Sequence, residues 1–243
     1  MKTNFKIIIL TIIAALCVES TWAGEKSDTV SDSKFSCSVG GDVVSGYVWR
    51  GQNCGGVSFQ PAFSVDAYGF SLGAWGSVGI DAADTKEFDI TLGYSLGGFS
   101  ASVTDYWFAY PTKTNHYFHY DPDTTAHVFE AQIGYDFGLM AFNWYTNFAG
   151  ADGIKEEGDV AYSSYFSVAA PFDFGGLVWE AELGFVPWKT SYYADVDSFA
   201  FTNVSLKATK SLKVSEDFIL GMYAQTVWNP TTEGAYMVLG FNL

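Results

Sequence analysis

Three histidines, His116, His119 and His127, are the residues of this sequence best suited to acid–base catalysis or metal binding. A hydrolase would need a nucleophile within hydrogen-bond reach of one of these rings. No motif joins any of the three to a serine. We therefore expect a protein that is not an enzyme.

The segment 111–125 contains His116 and His119 together with Asp121 and Asp123, all of them possible ligands of a divalent metal. A spacing of three residues does not bring two side chains together on an extended chain. The sequence predicts a polar surface loop here, with neither a metal ion nor a cofactor. Loop tyrosines such as Tyr117, Tyr192 and Tyr193 would suit contact with a ligand.

Two cysteines, Cys37 and Cys54, follow the N-terminal region. If they lie at opposite ends of one extended strand, their separation is about 56 Å. A disulfide needs Cα atoms within roughly 7 Å of each other. We therefore predict two free thiols.

The composition is acidic and aromatic: 27 Asp and Glu oppose 12 Lys and Arg, and Arg50 is the only arginine. A net charge of −15 leaves no basic surface to meet phosphates, which argues against a nucleic-acid partner. Charged residues make up 16% of the chain, and 25 glycines accompany many aromatic residues. An average soluble domain is about 25% charged. This profile indicates a sheet protein.

The N-terminal region reads as an export signal. Lys2 and Lys6 precede an apolar run over 7–16, and small residues stand at the −3 and −1 positions of a cleavage site after Ala23. A run of this length is too short for a membrane helix, which needs about 20 residues. We predict a signal peptide over 1–23, a flexible periplasmic leader over 24–34 and one folded domain over 35–243.

Apolar and polar residues alternate along the folded domain, as on a strand with one apolar face. In one segment Phe88, Ile90 and Leu92 alternate with Glu87 and Asp89. The pattern predicts strands at 36–50, 57–67, 70–79, 86–96, 99–110, 126–136, 140–148, 160–171, 177–187, 199–210, 218–228 and 234–243.

Two architectures fit such strands, a soluble β-sandwich and a membrane barrel. Predicted connections alternate between short turns and long loops, and aromatic residues fall at both strand ends, including Trp49, Trp107 and Trp228 at the long-loop end. Both features are typical of outer-membrane barrels. We predict an all-β fold, an antiparallel transmembrane β-barrel of about 12 strands. Asp105 opposes this assignment, since it would lie on the lipid-facing side of its strand; a bulge, or a position near the bilayer interface, would resolve the conflict.

The inward face of this barrel is predicted to be acidic and narrow. Its charged residues would be Asp42, Asp66, Glu87, Asp89, Glu130, Glu180 and Glu182, with Arg50 and Lys207 as the bases. Such an excess attracts cations into a channel, although the same charges could instead form internal pairs. Twelve strands lie between a filled barrel of eight and an open pore of 16 to 18. Inward rings could form a ladder for a ring-shaped solute or a plug: Trp75, Tyr106, Tyr145, Tyr165, Tyr223 and Tyr236.

The segment Ser45-Gly46-Tyr47-Val48-Trp49-Arg50-Gly51, followed by the Pro61-Ala62 pair, resembles the TorF family of bacterial outer-membrane porins. That family carries a Ser-x-Tyr-(Val/Ile)-x-Arg-Gly stretch, and the segment 74–77 and the Tyr110-Pro111 pair are also similar to it. Leu243 departs from the family, in which the last residue is usually aromatic. The resemblance implies an outer-membrane barrel with a small pore.

These observations predict an exported, porin-like passive channel for small solutes with a mild cation preference. Its expected partners are outer-membrane lipid, small solutes and the outer-membrane assembly machinery. The alternative is a closed outer-membrane barrel with a structural role or with loops that bind a ligand.

Overall fold

The computed structural model describes residues 35–110, 115–121, 124–153, 160–216 and 218–243. The predicted signal peptide and leader lie outside the described residues. The strands are β1 (Phe35–Val44), β2 (Tyr47–Trp49), β3 (Gln52–Gly55), β4 (Ser58–Ala67), β5 (Phe70–Gly79), β6 (Lys86–Leu96), β7 (Phe99–Ala109), β8 (His127–Asp136), β9 (Ala141–Gly150), β10 (Ser164–Phe174), β11 (Leu177–Val186), β12 (Ala200–Lys213), β13 (Ile219–Asn229) and β14 (Gly234–Asn242).

Twelve of these strands form one closed antiparallel barrel, and β2 and β3 form a separate hairpin. Each barrel strand pairs with its neighbour along the chain, and β1 pairs with β14 to close the ring. The predicted all-β barrel of 12 strands is confirmed. The described residues include no helix long and apolar enough to cross a membrane.

The two faces of the wall differ in the sense that the alternation predicts. Large apolar side chains are exposed on the outside, among them Val39, Phe59, Leu92, Ile133 and Leu239. Buried positions on the inside are largely polar, among them Gln60, Asp89, Thr91, Glu130 and Lys207. The barrel is therefore apolar outside and polar inside, the reverse of a soluble domain.

Short turns and long connections alternate around the barrel, as predicted. At 68–69, for example, Tyr68 and Gly69 have φ angles of 54° and 85°. This is the left-handed conformation that a two-residue hairpin turn needs. The connections at the opposite rim are longer, except for the last one, 230–233, and two of them, 45–57 and 187–199, turn into the barrel and contact its inner wall.

The first predicted strand, 36–50, is wrong in its second half. β1 ends at Val44, where it pairs with Ser58 of β4, and the chain then leaves the wall. Residues 45–57 form the β2–β3 hairpin inside the barrel, with its turn at Arg50 and Gly51. Alternation continues through 45–50, but the hairpin packs on inward rings of the wall instead of extending it.

The aromatic belt at the long-loop end therefore loses one predicted member. Trp49 does not face outward; its ring lies 5.8 Å from that of Tyr106, which points inward. Trp228 is on the outside, with 51% of its surface exposed. Trp107 also lies on the outer face, where the ring of Tyr117 covers it at 5.4 Å.

Candidate functional site in the barrel interior

The β2–β3 hairpin is fixed to the wall at its tip. Gly51 has a φ of 82°, and a Cβ atom there would lie 1.8 Å from the carbonyl oxygen of Thr202 on β12. Only glycine can approach that backbone so closely. Asn229 at the end of β13 donates a hydrogen bond from Nδ2 to the Gly51 carbonyl, at 3.1 Å. The tip is thus held against two strands of the wall.

Arg50, beside this tip, forms a buried ion pair with Glu130 of β8. The Nη1 atom lies 2.5 Å from Oε2, and Nη2 lies 3.0 Å from Oε1. The pair is therefore bidentate. Two hydroxyls also donate to the Glu130 carboxylate, that of Tyr106 at 2.9 Å and that of Tyr193 at 2.9 Å. The carboxylate is therefore fully engaged.

Aromatic rings surround the Arg50 guanidinium. Its Cζ atom is 3.9 Å from the ring centroid of Tyr145, 4.3 Å from Trp49 and 4.8 Å from Tyr165. The ring of Tyr193 lies at 5.6 Å. Such distances place the cation within reach of the π faces. Arg50, Glu130 and these four rings form what we call the arginine cage.

The second loop that enters the barrel completes the cage. Residues 187–199 fold back through a bridge between Thr190 and Val196, and Tyr193 between them is fully buried. Burial raises the pKa of Tyr193 well above its usual value because it disfavours the charged form. The Ala194 amide donates to Oε1 of Gln52, at 3.3 Å, and so joins this loop to the hairpin. Together the two loops narrow the barrel on its long-loop side.

Several predicted site residues meet in the cage: Arg50, Glu130, Tyr106 and Tyr145. The sequence prediction missed the inward position of Tyr193 and of Trp49. It placed Tyr193 in an exposed loop, and no periodicity marks an inward residue within 187–199. The rings enclose a side chain of the protein itself, so they form a plug-like cage and not a continuous ladder.

A second group of predicted residues lies elsewhere on the wall, on β1 and β11–β14. The Asn242 Nδ2 atom donates to Asp42 at 2.7 Å, and the Lys207 Nζ atom lies 4.3 Å from the Tyr223 ring. Glu180 is the cross-strand partner of Lys207. One base, Lys207, therefore lies among two acids, Asp42 and Glu180, in this part of the wall.

The remaining predicted acids have different surroundings. Glu182 accepts hydrogen bonds from the Tyr165 hydroxyl at 2.8 Å and from Asn203 Nδ2 at 2.7 Å. Asp66 lies near the short-turn rim, where Ser36 donates to it at 3.5 Å. Glu87 and Asp89 share the inward face of β6, and Asp89 is 4% exposed.

Asp105 lies on the outer face as predicted, and β7 has no bulge at this position. Its Oδ1 atom lies 2.6 Å from Nδ1 of His127 on the neighbouring strand. The other ring nitrogen of His127 lies 2.5 Å from the carbonyl oxygen of Tyr117, so it must carry a proton. The rings of Tyr117 and Tyr120 lie 5.2 and 4.3 Å from that of His127. Residues 115–121, between β7 and β8, thus cover the outer pair.

His116 and His119 do not join this pair. The Nε2 atom of His119 lies 2.7 Å from the Thr124 hydroxyl within the same loop. Across the described ranges, no group of three or more His, Cys, Asp and Glu residues is placed to hold a metal ion.

The predicted free thiols are confirmed: Cys37, which is exposed, and Cys54 are both unpaired. Cys54 lies on the hairpin and not on β1. Burial raises its pKa to about 12, as expected for a thiol in surroundings that disfavour the thiolate.

No protein-family model matches the chain, and a search of curated proteins finds no similar sequence.

Proposed function

We propose that this chain is a bacterial outer-membrane, porin-like protein that passes small solutes passively with a mild cation preference. A closed barrel with an apolar outer face and a polar interior suits a bilayer, because every backbone group of the wall can pair within the barrel. The resemblance to the TorF family supports the same location. Export by the predicted signal peptide and insertion by the assembly machinery belong to this proposal.

The observation that carries the proposal is the acidity of the inner face. Seven carboxylates, at Asp42, Asp66, Glu87, Asp89, Glu130, Glu180 and Glu182, face two bases, Arg50 and Lys207. Arg50 is engaged with Glu130, and Lys207 lies beside Glu180. The other carboxylates keep the interior negative, which favours cations over anions in a water-filled passage.

The test is conductance of the refolded mature chain in a planar bilayer under a salt gradient. We expect discrete steps with a reversal potential that favours cations, and a weaker preference in a Glu180→Gln, Glu182→Gln double variant. Folded protein without conductance steps would rule out the channel. An unchanged reversal potential in the double variant would exclude these two acids as the source of selectivity.

One observation favours the alternative, a closed barrel with a structural or ligand-binding role. The arginine cage fills the long-loop side with buried side chains, including Tyr165 and Tyr193 at 1% and 0% exposure. A variant in which a short Gly-Ser linker replaces residues 46–56 distinguishes the open channel from the closed barrel. If the wild type is silent and this variant conducts, the hairpin is a plug and the closed barrel is the native state.

A further inference from the structure

One buried carboxylate of the interior has an oxygen without a partner. Asp89 is 4% exposed, and its Oδ1 atom is buried with no hydrogen-bond partner in the described part of the chain. A buried charge of this kind is costly unless it is paired. Glu87 lies two residues away on the same inward face, so two carboxyl groups share this part of the wall.

Aromatic rings flank this carboxylate on both sides. The cross-strand partners of Asp89 are Trp75 on β5 and Tyr106 on β7. The hairpin lies over both, since Tyr47 packs 5.5 Å from Trp75 and Trp49 packs 5.8 Å from Tyr106. The site therefore combines a carboxylate with aromatic side chains on the two adjacent strands, a combination that suits an organic cation.

The arginine cage next to it shows that this interior holds such a cation. There, Glu130 and four rings bind the Arg50 guanidinium. Tyr106 belongs to both places, because its hydroxyl donates to Glu130 while its strand position is opposite Asp89. The two sites use the same chemistry, and only the Glu130 site has a cation of the protein itself.

The approach to Asp89 from the short-turn side is lined by small side chains. The next inward row of the three strands is Gly73, Thr91 and Thr104, which are cross-strand partners. On the short-turn side of Trp75 and Tyr106, this row of the three strands therefore carries no aromatic ring.

We propose that Asp89, Trp75 and Tyr106 form a binding site for an organic cation with a guanidinium or primary ammonium head group. The unpartnered oxygen can accept a hydrogen bond, which a guanidinium or primary ammonium donates and a quaternary ammonium cannot. The flanking rings do not offer the six or more oxygen ligands that calcium takes. This inference deepens the proposed function and rests on it for the identity of the solute class.

The experiment is calorimetric titration of the refolded mature chain in detergent micelles with methylguanidinium chloride. We expect saturable binding that is at least tenfold weaker in Asp89→Asn. The matched control is Asp66→Asn, which removes another inward carboxylate near the short-turn rim and should change the affinity less than twofold. Tetramethylammonium should bind at least tenfold more weakly than methylguanidinium.

Trp75→Leu is the second variant, because it keeps the carboxylate and removes one π face; we expect a loss of affinity of three- to tenfold. No binding to folded wild type, equal affinity in Asp89→Asn, or equal binding of tetramethylammonium would overturn the site. Calorimetry does not depend on conduction. Binding without conduction would support this inference and overturn the channel. Conduction without binding would support the channel and overturn this inference.

Discussion

Strand β8 carries one member of a polar side-chain pair on each of its faces, and the two pairs are built differently. Glu130 points into the barrel and meets Arg50, which is 80 residues away along the chain. His127 points outward and meets Asp105 on the adjacent strand. Both are covered by a connection from the long-loop rim, the first by the β2–β3 hairpin and the second by residues 115–121.

The two side-chain pairs therefore have different structural roles. The outer pair is local, because β7, β8 and residues 115–121 between them supply all of its parts, and it gives the Asp105 carboxylate a hydrogen-bond partner on an apolar surface. The inner pair joins the hairpin, the wall and the 187–199 loop, so it determines the shape of the interior. Removing one residue of the inner pair should therefore affect stability differently from removing one residue of the outer pair.

The largest expected effect comes from Arg50→Ala. Glu130 would remain buried without its cation, and breaking a buried pair costs about 3–5 kcal/mol of unfolding free energy. Urea unfolding in micelles, followed by tryptophan fluorescence, measures this loss. Lys189→Ala is the control, since its pair with Asp197 is exposed and should contribute no more than about 1 kcal/mol. A loss for Arg50→Ala as small as the control's would contradict the role of the pair.

His127→Leu tests the outer pair. It leaves the Asp105 carboxylate on the apolar face without its partner, where a charge costs up to about 2 kcal/mol, and unfolding should become easier by no more than that amount. The double variant Asp105→Leu, His127→Leu should recover most of the stability, because an apolar pair can replace a buried ion pair at little cost. Additive losses in the double variant would mean that the two residues do not act as a pair.

Gly51→Ala tests the hairpin anchor without changing a charge. The new Cβ clashes with the Thr202 carbonyl, so the tip must move away from the wall, at a cost of about 1–3 kcal/mol. Displacement should also make Cys54 react faster with a maleimide. Gly97→Ala is the matched control: its φ is also positive, at 59°, but nothing lies within 4 Å of a Cβ there. Unchanged Cys54 labelling in Gly51→Ala would show that the tip does not hold the hairpin.

The smallest expected effect comes from Asp152, a buried carboxylate whose hydrogen-bond donors are all neutral groups. Asn147 Nδ2 and the Ser163 amide donate to it, at 2.8 and 3.0 Å. Burial raises its pKa despite these bonds, since the charged form is disfavoured away from water. The folded state thus binds a proton more tightly than the unfolded chain, in which the pKa is about 3.9.

Asp152 therefore contributes stability that is present below the unfolded pKa of about 3.9 and is lost as the pH rises through the raised folded pKa. The unfolding free energy measured across this range should fall less steeply in Asp152→Asn than in the wild type. A steeper fall in the variant would reverse the assigned sign.

The sequence predicts most of the wall and little of the interior. The predicted segments 70–79 and 86–96 coincide with β5 and β6, because strict alternation between a polar and an apolar face fixes a strand and its orientation. Alternation also continues through 45–50, however, where the chain turns inward at Arg50 and Gly51. Alternation shows which residues share one face of a strand. It does not show whether that strand belongs to the barrel wall or turns into the interior.

The contacts of the site depend on partners distant in sequence. Arg50 and Tyr193 are separated by 143 residues, and neither lies on a barrel strand. The pairing of Asp105 with His127 likewise depends on the register of β7 against β8. Inward parity identified Glu130 and Tyr106 as interior residues, but it contained no information on the loops that reach them.

The pairing of β1 with β14 has a consequence for the order of folding. All other wall contacts join neighbours along the chain, so each can form as a local hairpin with a small loss of loop entropy. The closing contact joins Asp42–Val44 to Gly240–Asn242, about two hundred residues away. It is also short, whereas β1 pairs with β4 along its whole length. The sheet should therefore grow as an open, curved ribbon, and the interior becomes separate from its surroundings only in the final step.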